Sequence, residues 1–343
     1  MNELQKIQQT AVSLFAKGRG HQPRQEFKEQ NVSPIDPVPQ EKILEVAHKD
    51  ESGLIDYHRM EGSSVSAIDK VGINNFRLPM QFRYKDGTLR SHDVIASSYV
   101  HCPPGQGAIS MSRFCEILTV EAAQGSVNAK MFRRVLGRLR RDLRERPTDH
   151  LFRFAFLKLK FKYALKQMSL KSPNWGWQYY DCELEGVEDK DSKIRMYLTV
   201  YYQYSSTCPC SLSMAKQYEN AFAQGETAEG NGIANAHSQR SQAKCTVEYV
   251  PDSDFCVEDL VNLLRQAVPT ETQSLVKRVD EQAFAILNGQ HPVFVEHVVR
   301  RFRYALNQEP RVQDWTVAVE HWESLHSHNA VAVMRKGITG GLQ

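Results

Sequence analysis

No uninterrupted apolar run in the 343 residues approaches the ~20 that a membrane-spanning helix needs, so none is expected. There is little charge of one sign. The 43 Lys and Arg against 40 Asp and Glu leave +3, too small an excess to attract nucleic acid by net charge alone. The first twenty residues, MNELQKIQQTAVSLFAKGRG, lack the basic start, apolar stretch and small-residue cleavage site of a secretory signal. The expectation is a cytoplasmic protein without membrane or nucleic-acid partners. Its seven cysteines are then mostly reduced, and they are candidates for metal or redox chemistry rather than a disulfide scaffold. The chain has no P-loop, no dinucleotide-binding glycine fingerprint and no G-x-S-x-G elbow. What it does have is an ordinary globular composition, 41% hydrophobic and 24% charged. Its length suits two domains or one large one, with a core that needs no covalent staple.

Residues 1–68 show little sustained periodicity, and 21–40 are rich in Pro and Gln, as in an extended linker. From Val71 the pattern changes. Alternating segments at 75–84 and 92–100 predict two strands about the turn Asp86-Gly87. Helical spacing follows at 112–123 and 129–146, then strands at 150–163 and 177–185. After the polar break at 187–193 the order restarts. Strands are predicted at 194–204 and 242–250, helices at 257–267, 281–287 and 293–306, and strands at 315–322 and 330–334. A β-β-α-α-β-β order thus occurs twice, as a first module over 69–187 and a second over 188–343. Strands and helices do not strictly alternate, so the class is α+β with antiparallel sheets backed by helices. The Gly-rich segment 219–236 reads as a mobile surface insertion. The basic run Arg133–Arg146 reads as a solvated helix face, because Asp142 and Glu145 interleave and the leucines keep an apolar stripe.

The chemistry concentrates in the second module. In Ser206-Thr207-Cys208-Pro209-Cys210-Ser211 two thiols flank a proline just after a predicted strand. A metal needs a soft donor aimed by a stiff backbone, and Pro209 stiffens this one. C-x-C alone is weak, since structural zinc sites show two matching pairs and there is no second pair here. Any partners must be distant. Candidates are His237 in AHSQRS, the acids of Arg278-Val279-Asp280-Glu281, Glu296 in an apolar helical run, and Glu323, His326 and His328 in ESLHSH. Taken singly, each has an ordinary reading: surface histidine, acids suited to a helix dipole, polar hairpin. Together they offer sulfur, imidazole and carboxylate, the donor types of a catalytic metal site with an open position.

These motifs, with VGINNFRLPM at 71–80 and SMSRF at 110–114, occur in an order that resembles the B-type GTP cyclohydrolase I, a bimodular family of the tunnelling-fold superfamily. The resemblance spans roughly residues 70–335. It implies two tandem tunnelling-fold modules. It also implies hydrolysis and rearrangement of GTP to 7,8-dihydroneopterin triphosphate and formate, the first step of folate-type pterin synthesis. Further, it implies Cys208, His237 and Glu281 as ligands of one divalent metal (zinc, manganese or iron), with Cys208 counted among the catalytic residues. Glu296 becomes the anchor of the guanine, Glu323 and His326 the proton-transfer pair, and Arg113 and Arg240 the triphosphate contacts. A homotetramer with active sites between subunits is implied as well. Two other readings remain open: the superfamily's nitrile reductase of queuosine synthesis, and a non-catalytic purine- or pterin-binding relative.

Overall fold

The computed structural model describes residues 67–144, except 105 and 107, and 152–337, together with 49, 52 and 53. The linker-like stretch 21–40 and almost all of the extension 1–68 lie outside the described residues. The chain divides into Met1–Asp56 and Tyr57–Gln343. The second unit carries the elements that follow.

Eight strands form one antiparallel sheet in sequence order: β1 (Ile68–Arg83), β2 (Leu89–Cys102), β3 (Ala155–Met168), β4 (Trp175–Glu188), β5 (Ile194–Thr207), β6 (Ser238–Tyr249), β7 (Val312–His321) and β8 (Ala330–Arg335). The α+β class and the antiparallel sheet hold as expected. Period-two patterning sets the faces. β3 buries Ala155, Leu157, Leu159, Phe161 and Tyr163, and β5 buries Ile194, Met196, Leu198, Val200, Tyr202 and Tyr204. The other face is more polar: β3 carries Lys158, Lys160 and Lys162 there, and ion pairs such as Lys158–Glu183 and Arg195–Glu248 join neighbouring strands.

Six helices are present among the described residues: α1 (Met111–Ala122), α2 (Ala129–Asp142), α3 (Pro209–Ala223), α4 (Val257–Ala267), α5 (Arg278–Gln290) and α6 (Val295–Gln308). α1 packs on β1, α2 on β3 and β4, α4 on β5, and α6 on β7 and β8. α2 starts where Asn128 Oδ1 accepts the Met131 N–H at 2.9 Å, and it buries Met131, Phe132, Val135, Leu136 and Leu139. α6 likewise buries Val295, Val298, Val299, Phe302 and Leu306.

Two expectations need correction. The segment 219–236 is not simply an insertion, because α3 runs through its first five residues. The helix starts at Cys208 with Pro209 in its first turn, where a proline's missing N–H is no loss. The remainder is tied back to α3: the Tyr218 hydroxyl donates to Glu229 O at 2.5 Å and accepts the Gly232 N–H at 3.1 Å. Gly232 has φ +78, and a Cβ there would lie 2.5 Å from the Phe222 ring, so both backbone and space call for glycine. The basic run, in turn, is not a purely solvated face. Arg134 and Arg138 pair with the buried Glu121, and Arg140 is itself buried against Glu188.

Candidate active site

The ends of β5 and β6 build the site. Their ladder closes at Thr207 opposite Ser238, where the two hydroxyls share a hydrogen bond of 2.8 Å. Cys208 is the next residue and caps α3. It is half-buried, and its N–H donates to His237 O at 3.2 Å. Cys208 and His237 are therefore neighbours, although 28 residues and a helix separate them. The next element joins here too: the Val293 N–H donates to Thr207 O at 3.0 Å, which brings the start of α6, with Glu296 in its first turn, to the same strand end. Trp322 N donates to Arg240 O at 3.2 Å and carries the loop after β7 across. Glu323 is thereby set beside His237, its carboxylate 3.5 Å from Nδ1.

The buried face changes character at this end of the sheet. Deep in the sheet it is apolar, with Val200, Tyr202, Ala243 and Val319. Towards the site it becomes Ser206, Gln239, Ser241 and His321, all buried. Buried polar groups need partners, and these find one another. Ser206 Oγ and Ser241 Oγ share a hydrogen bond of 2.8 Å, Gln239 Nε2 donates to Ser206 Oγ at 2.8 Å, and Gln239 Oε1 lies 3.0 Å from His237 Nδ1. His321 Nε2 is 2.9 Å from the Tyr204 hydroxyl. None of these five residues is among the site residues expected from sequence. The one local signal is the interruption of apolar alternation near the ends of predicted strands.

Glu281 and Arg240 line a separate cavity of about 430 Å³ with Ser205, Thr272, Gln273, Val276 and Phe284; Ser205 and Arg240 are the strand neighbours of Ser206 and Gln239 and so point to the other face of the sheet. Its wall is held in place. Asp280, fully buried, accepts hydrogen bonds from Lys171 N (2.7 Å), Ser172 N (2.8 Å), Ser172 Oγ (2.6 Å) and Lys277 N (2.8 Å). These donors, the Ser172 hydroxyl first, hold its carboxyl far below the usual carboxylate range. His326 and His328 are exposed in the loop after β7, their rings stacked 4.8 Å apart. Cys210 is exposed on α3. Arg113 is not brought here. It lies on α1, against β1, and its guanidinium donates to Arg144 O at 3.3 Å. β1 is four strands from β5 in the sheet order, roughly 19 Å at ordinary strand spacing.

The donor chemistry of Cys208 and His237 suits a borderline-soft divalent metal. The fit within one chain extends to these two. Among the described residues no three His, Cys, Asp or Glu side chains converge as a ligand set.

Burial pushes the His321 imidazole down from 6.5 to about 4, against a smaller upward pull from Glu296. An unfolded chain therefore takes up this proton first as the pH falls. The resulting stability is whole above pH 6.5 and drains away towards pH 4, roughly 3 kcal/mol in all and roughly 2 kcal/mol of it by pH 5. Urea midpoints measured at pH 7.5 and pH 5 should separate widely for the wild type and much less for His321→Gln. Equal separation in the two proteins would remove His321 as the cause.

The profile of the family described as "Type I GTP cyclohydrolase folE2" matches residues 54–332. The GTP cyclohydrolase FolE2 of Cereibacter sphaeroides strain ATCC 17025 is 39% identical over 274 residues, covering 80% of this chain and 72% of its own. That of Dinoroseobacter shibae is 37% identical over 307 residues, covering 88% and 78%. That of Paracoccus denitrificans is 39% identical over 272 residues, covering 79% of each. Among solved structures, the uricase of Arthrobacter globiformis aligns with 80% of this chain and 95% of its own at 8% identity and a TM-score of 0.47. No helix among the described residues is long and apolar enough to cross a membrane. With the family profile matched over most of the chain, and relatives identical at nearly two residues in five over four-fifths of it or more, this chain belongs to the type I GTP cyclohydrolase FolE2 family.

Proposed function

We propose that this chain opens the imidazole ring of GTP at C8, releases that carbon as formate and recloses the product as 7,8-dihydroneopterin triphosphate. The observation that carries the reading is the meeting of Cys208, His237 and Glu323 at one sheet end, with the start of α6 hydrogen-bonded to the same strand. Cys208, His237 and Glu281 would hold a divalent metal (zinc, manganese or iron), which when bound supplies a water activated at neutral pH. The chain's own groups do the rest. Glu296, exposed in the first turn of α6, offers a charged acceptor to the N–H edge of guanine, a stronger bond than a neutral acceptor gives. Glu323 and His326 handle protons, with His326 delivering one to the departing ring nitrogen. Arg240 faces the cavity that Glu281 lines and serves the triphosphate. Arg113, so far from the other site residues in its own chain, serves the site of a neighbouring subunit in a homotetramer.

Metal-reconstituted protein incubated with GTP should release formate and yield fluorescent neopterin after oxidation and dephosphorylation. Loss of both products with chelator is expected. Folded protein that gives neither product with zinc, manganese or iron would overturn the assignment. Glu296→Gln should raise KM for GTP about 10- to 100-fold, the loss of one charge-assisted hydrogen bond of about 1.5–3 kcal/mol, while metal content stays unchanged. His326→Ala should lower kcat by about 10²–10⁴ with KM nearly constant. Full activity in that variant would remove His326 from proton transfer.

A further inference from the structure

We infer that Gln239 is a positioning residue: its side-chain carbonyl fixes the ring orientation and tautomer of His237, so that Nε2 carries the lone pair presented to a ligand. The inference rests on the proposed ligand role of His237 and goes beyond it, to what sets that ring. Two oxygens face Nδ1 of His237, Gln239 Oε1 at 3.0 Å and Glu323 Oε2 at 3.5 Å. An ionised carboxylate accepts hydrogen bonds and cannot donate. A lone pair on Nδ1 would therefore confront an acceptor, so Nδ1 carries the proton. A neutral imidazole has one N–H, which leaves Nε2 as its basic nitrogen.

Burial and the contact with Ser206 hold the Gln239 side chain in place, and the Glu323 carboxylate decides which end of its amide faces Nδ1. Gln239 is 8% exposed, and its Nε2 donates to Ser206 Oγ at 2.8 Å. Ser206 in turn is hydrogen-bonded to Ser241 at 2.8 Å, and both serines are fully buried in adjacent strands. Turning the amide over would point its N–H group at Nδ1. That nitrogen would then have to accept, with the Glu323 carboxylate facing its lone pair. The strand register therefore supports a chain of contacts, from Ser241 through Ser206 and Gln239 to His237, that ends in one defined lone pair. Groups that hold the far nitrogen of a ligating imidazole commonly change metal affinity by about 10–100-fold when removed.

The test uses full-length protein and has two readouts that do not depend on turnover. In metal-free protein, ¹⁵N NMR of the histidine rings should show His237 as the single Nδ1–H tautomer in the wild type and a tautomer mixture in Gln239→Leu. Zinc affinity, measured by competition with a chelating dye, should fall about 10–100-fold in Gln239→Leu. Ser206→Ala removes the amide's support while keeping its carbonyl, and it should weaken zinc several-fold. It also decides the question should the leucine variant fail to fold. An Nε2–H tautomer in the wild type overturns the inference, as does wild-type zinc affinity in folded Gln239→Leu. His237→Ala separates this from the reading beneath it. If that variant binds zinc as the wild type does, His237 is not a ligand, and the tautomer measurement still decides the role of Gln239.

Discussion

Cys208→Ala protein should come off purification without bound metal, and it should release formate from GTP at no more than about a thousandth of the wild-type rate. Loss of a metal-activated water removes several kcal/mol of transition-state stabilisation, and about 4 kcal/mol is a thousandfold. The structure makes the experiment clean. Cys208 caps α3 through its backbone, and its side chain makes no capping hydrogen bond. Its N–H bond to His237 O survives in alanine. The melting temperature should therefore stay close to that of the metal-free wild type while metal content and activity vanish together. Cys210→Ala, at the exposed position two residues on, should retain both. Metal at wild-type stoichiometry in Cys208→Ala would sink the ligand assignment.

The largest stability effect should come from Arg140→Ala, far from the chemistry. Arg140 is 4% exposed, and its guanidinium donates to Phe152 O at 2.8 Å, Glu188 Oε1 at 2.8 Å, Ser192 Oγ at 3.1 Å and Lys190 O at 3.0 Å. Alanine would leave the Glu188 carboxylate, 5% exposed, buried without its counter-charge. Breaking a buried pair in this way costs about 3–5 kcal/mol, or a fall of roughly 10 °C in Tm for a body of this size. The double variant Arg140→Met/Glu188→Leu should recover much of the loss, because removing both charges leaves none stranded. Calorimetry or a urea titration reads both. A fall of under 2 °C in the single variant would mean that water reaches Glu188.

Arg140 also marks the limit of local reading. In sequence it belongs to a dense basic run beside an apolar stripe of leucines, and such a run is ordinarily solvated. Its burial depends on Glu188, 48 residues away at the end of β4, which no helical pattern can report. α3 escaped for a different reason. It carries only a weak apolar stripe, with Ala215 its one buried residue, so the period that betrays a helix is faint and only the proline after Cys208 hints at a start. Among the proposed site residues, Cys208, His237, Glu281, Glu296 and Glu323 stood out because each sits in a short, chemically unusual motif. Gln239, Ser206, Ser241, Tyr204 and His321 did not, because each is a single polar residue on a strand.

The sequence by itself determined the eight strands of the sheet, five of the six helices among the described residues and the antiparallel α+β class, and it nominated the side chains proposed to bear the chemistry. Those follow from periods of 2 and 3.6 and from short motifs, all properties of near neighbours along the chain. Only the tertiary structure decided which polar groups meet. The pairing of Thr207 with Ser238 sets Cys208 beside His237 and aligns Ser206, Gln239 and Ser241 into one hydrogen-bonded line. A slip of one residue in that register would turn each of these side chains to the other face of the sheet. Register is settled by how the whole buried face packs against its helices, and so the partners of His237 are a property of the folded sheet rather than of its strands.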